Sequence, residues 1–450
     1  MRIACIKPKL GHKENGSYRE RAVMEPHVFA LIAAMTPPDV ELVLHDDRIE
    51  DIPYDEAVDL VAITVETYTA KRAYEISSEY RNRGVPVLLG GTHPTHLPEE
   101  SKAYADSVFM GDAEGQWRNV IADLRKGKLK PFYKSDIRIP QEGIFPDRSI
   151  YGKRKYTPVS VIQFSRGCGF KCNFCSVTTF YKHRYVHRPV SDVVEEIERH
   201  GTKLFLFADD NITFSRKAAK ELFKALIPLN IKWLSEGDMN MVRDPDLMDL
   251  MMKSGCVGLL VGLESISKDN LKSMQKNQNL SKLDQYDEQM RILRNSGVMT
   301  WATFTFGYEY DTPEIFDQTL EFCSKYKVTI ADFNILTPYP GTPLYDQLEK
   351  DGRLLFDGQW WLHPDYRFGK VTHIPYSLSP RELEEGVFRA KRKFFTLSSV
   401  LRRGLDLKAN LRSPRNLRIY TIANILSYND TLKKVDLILG DSAAENPVVG

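Results

Sequence analysis

Cys168, Cys172 and Cys175 fall in one short stretch, Ser165-Arg-Gly-Cys-Gly-Phe-Lys-Cys-Asn-Phe-Cys-Ser176, spaced C-x3-C-x2-C with no fourth cysteine close behind. Three thiolates can hold three irons of a [4Fe–4S] cluster, whereas a cluster that only carries electrons takes four. The fourth iron then keeps open coordination positions, and an open position separates a reactive metal site from a closed structural one. Two other uses of the triplet stay open. The cysteines could be core thiols, although a Gly-Cys-Gly-Phe-Lys-Cys loop is a poor place to bury three of them. They could also bind zinc, with His183 or His187 as fourth ligand. Those histidines stand in Tyr181-Lys-His-Arg-Tyr-Val-His-Arg188, a basic and aromatic stretch that suits an exposed loop better than a closed metal knot.

Two alternations of strand and helix must position these thiols. The first has strand-like runs at 2–6, 40–44, 60–65, 86–89 and 107–110, with helical stretches at 28–35, 70–83 and 114–125. This pattern predicts a parallel sheet with helices on both faces, a Rossmann-like (flavodoxin-like) domain over 1–126. Its fourth and fifth strands run into Gly90-Gly91-Thr92-His93-Pro94-Thr95-His96 and Gly111-Asp112-Ala113-Glu114, on the side where open α/β sheets bind ligands. Residues 127–157 read as a surface linker. The second alternation has strands at 159–164, 204–207, 231–234, 257–263, 300–306 and 331–336. Helices fit at 191–200, 216–226, 245–253, 283–296 and 313–326. Six units predict a partial (β/α)6 TIM barrel over 158–378, with its chemistry at the carboxyl ends of the strands. The cysteine loop follows the first of them. Residues 379–450 read as a helical, basic C-terminal region.

Composition narrows the class. A chain of 450 residues has room for two or three domains. Hydrophobic residues at 42% and charged residues at 27% describe a soluble globular protein. A net charge of +2 gives no pull toward nucleic acid, which is not expected as a partner. Cys5, Cys256 and Cys323 lie in apolar runs, as buried free thiols of a reducing cytosol do. No stretch has the order of a signal peptide or the length of a spanning helix. A cytoplasmic location is expected, with peripheral membrane contact left open.

The cysteine stretch, His187-Arg-Pro189, Asp209-Asp-Asn211, Gly262-Leu-Glu-Ser265 and Thr337-Pro-Tyr-Pro-Gly-Thr-Pro343, in this order, resemble the radical SAM proteins that carry an N-terminal cobalamin-binding-like domain. The likeness spans about residues 1–400 by motif order. It implies that the open iron is chelated by the amino and carboxylate groups of S-adenosylmethionine (SAM). One electron then cleaves SAM to methionine and a 5′-deoxyadenosyl radical, which takes hydrogen from an unactivated carbon. By position, Phe174 covers the cluster and approaches the adenine, and Ser176 and Val177 continue that wall. Asp209 and Asp210 match the polar strand end that binds the methionine amino group, although Asp210 or Asn211 could equally cap a helix. Glu264 holds a ribose hydroxyl or orients Arg166, with a structural ion pair as the plain alternative. Ser235 and Glu236 are weaker candidates of the same kind. Tyr339 closes the barrel mouth, and Gly307-Tyr308 lines the substrate cavity. The resemblance assigns no catalytic residue beyond the cluster ligands.

The N-terminal domain departs from one familiar pattern. Cobalamin domains that ligate cobalt through histidine carry D-x-H-x-x-G, whereas Lys7-Pro-Lys-Leu-Gly-His-Lys-Glu-Asn-Gly16 holds His12 without it. Members of the family also bind cobalamin without that ligand. His12, Gly90, Gly91, Thr92, His93 and Gly111 are then the candidate cobalamin contacts, unless the glycine turn merely joins strand to helix with His93 as a cap. The resemblance implies a cobalamin-dependent C-methyltransferase acting on a lipid, pigment or natural-product precursor. A cobalamin-independent cyclase, dehydratase or rearrangement enzyme is the alternative, and a cobalamin- or metal-binding regulatory module is the alternative of another class. Expected partners are a flavodoxin- or ferredoxin-type electron donor and a small-molecule or lipid substrate. The basic C-terminal region suits a membrane surface, an acidic donor or a merely solvated helix face.

Overall fold

The computed structural model describes residues 1–441 except 15, 17, 21, 136–141, 281 and 282, with the backbone alone at 283 and 432. The predicted linker thus lies partly outside the described residues, as does the chain after 441.

The first alternation folds as six parallel strands: β1 (Arg2–Lys7), β2 (Glu41–Asp46), β3 (Leu60–Thr64), β4 (Val87–Gly90), β5 (Ser107–Met110) and β6 (Phe132–Lys134). Their order is β2-β1-β3-β4-β5-β6. Successive side chains of a strand point to opposite faces, and both faces here are covered, so the strands read as continuous apolar runs. Ile3, Cys5, Leu60 and Ala62 pack under Phe29 and Trp117 on one side. Ala4, Ile6, Val61 and Ile63 pack with Tyr74 and Ile76 on the other. The sheet runs one strand past the predicted boundary at 126. β6 has three residues, too few to show a period, yet its Tyr133 is 3% exposed.

The second alternation folds as β7 (Ser160–Ile162), β8 (Leu204–Phe207), β9 (Lys232–Gly237), β10 (Cys256–Glu264), β11 (Met299–Phe306) and β12 (Ile330–Ile335), all parallel and paired in sequence order. β7 and β12 are the two edges, so the barrel is open on one side. Helix starts follow local capping chemistry. Asp244 accepts from Leu247 N at 3.1 Å ahead of the helix Pro245–Lys253, whose first residue is a proline.

The C-terminal region supplies α1 (Pro380–Phe394), α2 (Leu397–Gly404) and α3 (Pro414–Lys434). A capping box between Ser379 and Glu382 starts α1, which packs along β12. One predicted basic residue is core: Arg403 is 0% exposed, lies over the Phe394 ring and donates to the carbonyls of Val328, Thr329 and Phe394. The chain then returns to the N-terminal domain, where Ile438–Leu439 pairs antiparallel with Gly11–His12. Trp360, Trp361, Tyr366, Leu437 and Leu439 join that domain's core. Its hydrophobic core is therefore built from both ends of the chain, which a division into consecutive segments does not express.

Candidate active site

The cysteine loop leaves β7 and is fixed from three sides. Asp209, after β8, accepts from the backbone N–H groups of Phe164 and Ser165 and from the Ser165 hydroxyl. Asp210 accepts from Gly167 N at 2.7 Å. Arg166 donates to Glu114 at 2.6 Å and lies 3.3 Å from Asp112, tying the loop to the N-terminal domain. Gly167 has φ +77, and a Cβ there would stand 2.2 Å from the Arg184 carbonyl oxygen. A Cβ at Gly169 would meet the Phe214 ring at 2.3 Å. Beyond the loop, Asn173 N donates to Met274 O, and the Tyr308 hydroxyl donates to Asn173 Oδ1 at 3.1 Å.

So held, all three cysteines line one cavity of 940 Å³. Gln278 Nε2 points at Cys172 Sγ from 3.5 Å and Asn211 Nδ2 at Cys168 Sγ from 4.0 Å. Side-chain N–H donors aimed at sulfur suit thiolates that carry metal charge. Burial pushes the Cys168 thiol up to about 12 and the Cys175 thiol up to about 11, so the sulfurs shed their protons when iron binds. Among the described residues no three His, Cys, Asp or Glu side chains gather round one ion position. His183 and His187 are turned elsewhere, with Nδ1 atoms 3.1 Å from Phe170 O and 2.9 Å from Arg188 O.

Above the thiols the wall is acidic. Asp210, Glu236 and Glu264 line the cavity with Phe174 and Lys276. Glu264 has φ +63 next to a bulge in β10, a strained conformation of the kind that collects at functional sites. It bonds Lys276 at 3.1 Å and the Thr305 hydroxyl at 2.9 Å. Gly262 makes room, since a Cβ there would stand 2.5 Å from Glu264 Oε1. The predicted alternative in which Glu264 orients Arg166 does not occur, because Arg166 is taken by Glu114 and Asp112. Glu236 points into the cavity, and burial followed by the charges of Asp210, Glu264 and Asp209 pushes its carboxyl up to about 7.

Other predicted positions separate. Tyr339 lines the cavity, its ring edge-on to Tyr68 with centroids 6.0 Å apart. Ser235 is buried and donates to Phe207 O at 2.9 Å, away from the cavity. Asp209 is fully committed to the loop, which leaves Asp210 as the member of that pair facing the cavity. Ser176 starts the helix Ser176–Phe180, whose Val177 and Thr178 reach the cavity. Tyr308 backs Phe174 from 6.4 Å and, like Gly307, is not part of the lining.

The candidate cobalamin contacts also lie off this cavity. His93 is 0% exposed, with Nε2 at 2.9 Å from Glu100 and 3.1 Å from the Tyr74 hydroxyl. His12 Nδ1 is 3.2 Å from Gly440 O, in the pairing with the C-terminal strand. Gly90, Gly91, Thr92 and Gly111 stand at the sheet end, where a Cβ on Gly91 would meet Val65 O at 2.6 Å and one on Gly111 would meet Ser135 O at 2.9 Å. The N-terminal domain reaches the cavity through Tyr68 instead. Tyr68 follows β3 at the switch between β1 and β3, where ligands of such sheets bind. Tyr68, Lys276 and Gln278 went unnoticed in the sequence because none stands in a spaced motif, and Asn211, read there as a possible helix cap, instead reaches Cys168.

Residues 162–323 match the Radical SAM superfamily. The chain is 30% identical over 395 residues to the bacteriochlorophyllide d C-12(1)-methyltransferase of Chlorobaculum tepidum, covering 85% of each. It is 27% identical over 376 residues to the anaerobic magnesium-protoporphyrin IX monomethyl ester cyclase of Cereibacter sphaeroides, covering 76% of this chain and 60% of that one. Its fold matches that of the radical SAM methyltransferase TsrM from Kitasatospora setae, solved with cobalamin and a [4Fe–4S] cluster bound, with TM-score 0.63 and 17% identity over 86% of this chain and 81% of that one. The protein belongs to the radical SAM superfamily, and it is an enzyme that uses a [4Fe–4S] cluster and SAM. Among the described residues no helix is long and apolar enough to cross a membrane.

The acidic wall gives this site a pH dependence. Burial pushes the Glu236 carboxyl up to about 7, so falling pH removes a negative charge from the cavity wall, where the cationic SAM is expected to bind. Between about pH 8 and pH 6 the affinity for SAM is expected to fall about tenfold, and Glu236→Gln to flatten that profile at the weaker value. Equilibrium SAM binding to reconstituted protein measures it. A wild-type profile that is already flat removes Glu236 from SAM binding. Stability runs the opposite way: burial raises this carboxyl from about 4.5 to about 7 in the folded protein, so the carboxylate burdens the fold as pH rises through that window.

Proposed function

We propose that the protein is a cobalamin-dependent C-methyltransferase that acts on an unactivated carbon of a lipid, pigment or natural-product precursor. The observation that carries this reading is the cavity that joins the three thiols to Tyr68 at the switch point of the N-terminal sheet. Cys168, Cys172 and Cys175 would hold a cluster able to supply the electron that opens SAM, and the face carrying Tyr68 would hold cobalamin, whose chemistry is methyl transfer. The chain's own part is positional. Asp210, Glu236 and Glu264 receive the ammonium and sulfonium end of SAM, and Phe174 walls the adenine side. α1 and α3 close part of the open barrel edge and exclude water.

The residues at the switch point fit such a ligand. Lys7 and Glu66 pair there at 2.6 Å, and the Tyr68 ring stands among Tyr339, Trp360 and Phe368. At the same seam His96 Nε2 is buried without a hydrogen-bond partner. His93 Nε2 is bonded to Glu100 and the Tyr74 hydroxyl, and His12 Nδ1 is tied to Gly440 O, both off the cavity. A flavodoxin- or ferredoxin-type protein delivers the electron, and the free buried thiols of Cys5, Cys256 and Cys323 accord with a reducing cytoplasm.

Anaerobic reconstitution with iron, sulfide and hydroxocobalamin tests the proposal. About one cobalamin per chain should stay bound after the cluster is removed. Failure to retain cobalamin while SAM is still cleaved defeats the methyltransferase reading. It would favour the cobalamin-independent cyclisation, dehydration or rearrangement.

A further inference from the structure

Residues 388–429 carry ten basic side chains and a single acid, Asp406, which is buried against Arg294. The same stretch holds most of the chain's exposed large apolar side chains. Leu397, Leu401, Leu405 and Leu407 are 74%, 58%, 73% and 81% exposed. Spaced by four, the first three form one stripe along α2. On α3, Asn416, Tyr420 and Asn424 are the buried face, and Tyr420 donates to Val400 O of α2. The opposite face presents Arg415, Arg418, Ile422 and Ile425, all exposed. Leucines this exposed, beside cations and with Asp430 near the end of α3 as the exposed acid of these two helices, need a covering that is apolar and anionic at once.

We propose that the outer face of α2 and α3 docks on an anionic lipid bilayer. A second copy of the chain fits poorly, because a symmetric contact would set the same cations against themselves. An acidic redox protein answers the charge but not four leucines, since redox encounters are small and polar. The cavity meets the surface next to this face: the exposed residues Arg381, Glu385 and Asp430 line it, with Phe395 from the turn between α1 and α2. Docking in this pose presents the open barrel edge to the lipid, so an amphiphilic substrate passes from bilayer to cavity without crossing water. The docking itself does not depend on which reaction follows.

Flotation of the full chain with vesicles tests this. Binding is expected to vesicles of phosphatidylcholine mixed with phosphatidylglycerol, to weaken with added salt and to be absent with phosphatidylcholine alone. Removing cations by Arg415→Gln and Arg418→Gln should weaken binding about fivefold each. Leu401→Gln and Leu405→Gln should weaken it about tenfold each, as exposed leucines that lose their insertion. SAM cleavage in detergent-free solution should not change in these four variants, because none of the residues reaches the cavity. Failure to bind anionic vesicles overturns the proposal. So does equal binding to neutral vesicles, or a dimer by light scattering that the leucine variants dissolve. Loss of salt-sensitive complex formation with an acidic flavodoxin in the arginine variants, with vesicle binding intact, overturns it in favour of a donor site.

Discussion

Cys172→Ala is expected to leave the protein folded and unable to open SAM: 5′-deoxyadenosine formed under dithionite falls to background, and iron falls from about four per chain to background. Cys172 is the middle thiol, 7% exposed, and receives Gln278 at 3.5 Å. Its loop is fixed by backbone bonds to Asp209 and Asp210 and by Arg166, none of which involves sulfur. Truncation to alanine therefore removes a ligand and little packing, about 1 kcal/mol. Alanine at Cys5, Cys256 or Cys323 makes the contrast. These thiols are at most 3% exposed in sheet and helix cores, and the variants should keep iron and turnover. Removing Gln278 instead should weaken cluster retention by about ten- to a hundredfold, the range for outer partners of metal ligands. A Cys172→Ala protein that still holds iron and cleaves SAM would sink the cluster assignment.

Legibility followed the length scale of each signal. The triplet is a local spacing, and its loop glycines are required by contacts within a few residues or one strand away. Barrel helices such as Arg216–Leu226 and Pro245–Lys253 coincide with their predicted limits, because a polar cap or a proline marks where each begins. What failed to show in the sequence was long-range. Lys276 meets Glu264 only because β10 bulges, and Tyr68 meets Tyr339 across 271 positions. At the glycine turn 90–91, a Cβ on Gly91 would meet Val65 O at 2.6 Å. A glycine reports that backbone is tight and does not say what it is tight against. The adjacent acids after β8 show the same ambiguity: Asp209 secures the loop, Asp210 both caps it and faces the cavity, and no local pattern distinguishes them. The C-terminal strand and the Trp360–Trp361 pair carry apolar weight that belongs to a domain whose first strand lies more than 350 residues earlier.

Glu114→Ala is expected to loosen the N-terminal domain from the cluster loop. Arg166 is 5% exposed and held by Glu114 at 2.6 Å, Asp112 at 3.3 Å and Gln163 at 2.7 Å. Removing one carboxylate leaves a buried guanidinium under-compensated, which costs about 3–5 kcal/mol for a lone pair; Asp112 retains part of the field and brings the expectation to about 2–4 kcal/mol. The Asp112 carboxyl is itself raised by burial, so it answers Arg166 less well as the pH falls. Because Arg166 stands two residues before Cys168, the loss should show twice: a lower midpoint of thermal unfolding, and faster release of iron to a chelator at temperatures where the chain is still folded. Glu114→Gln keeps shape and one acceptor, and should fall between the two proteins on both measures. The exposed pair Arg199–Glu195, with side chains 58% and 48% exposed, supplies the scale, since its removal should move stability by no more than about 0.5 kcal/mol. If Glu114→Ala shifts the midpoint no further than Glu195→Ala and iron release is unchanged, the N-terminal domain does not brace the cluster loop through this pair, and the loop must owe its position to the barrel acids alone.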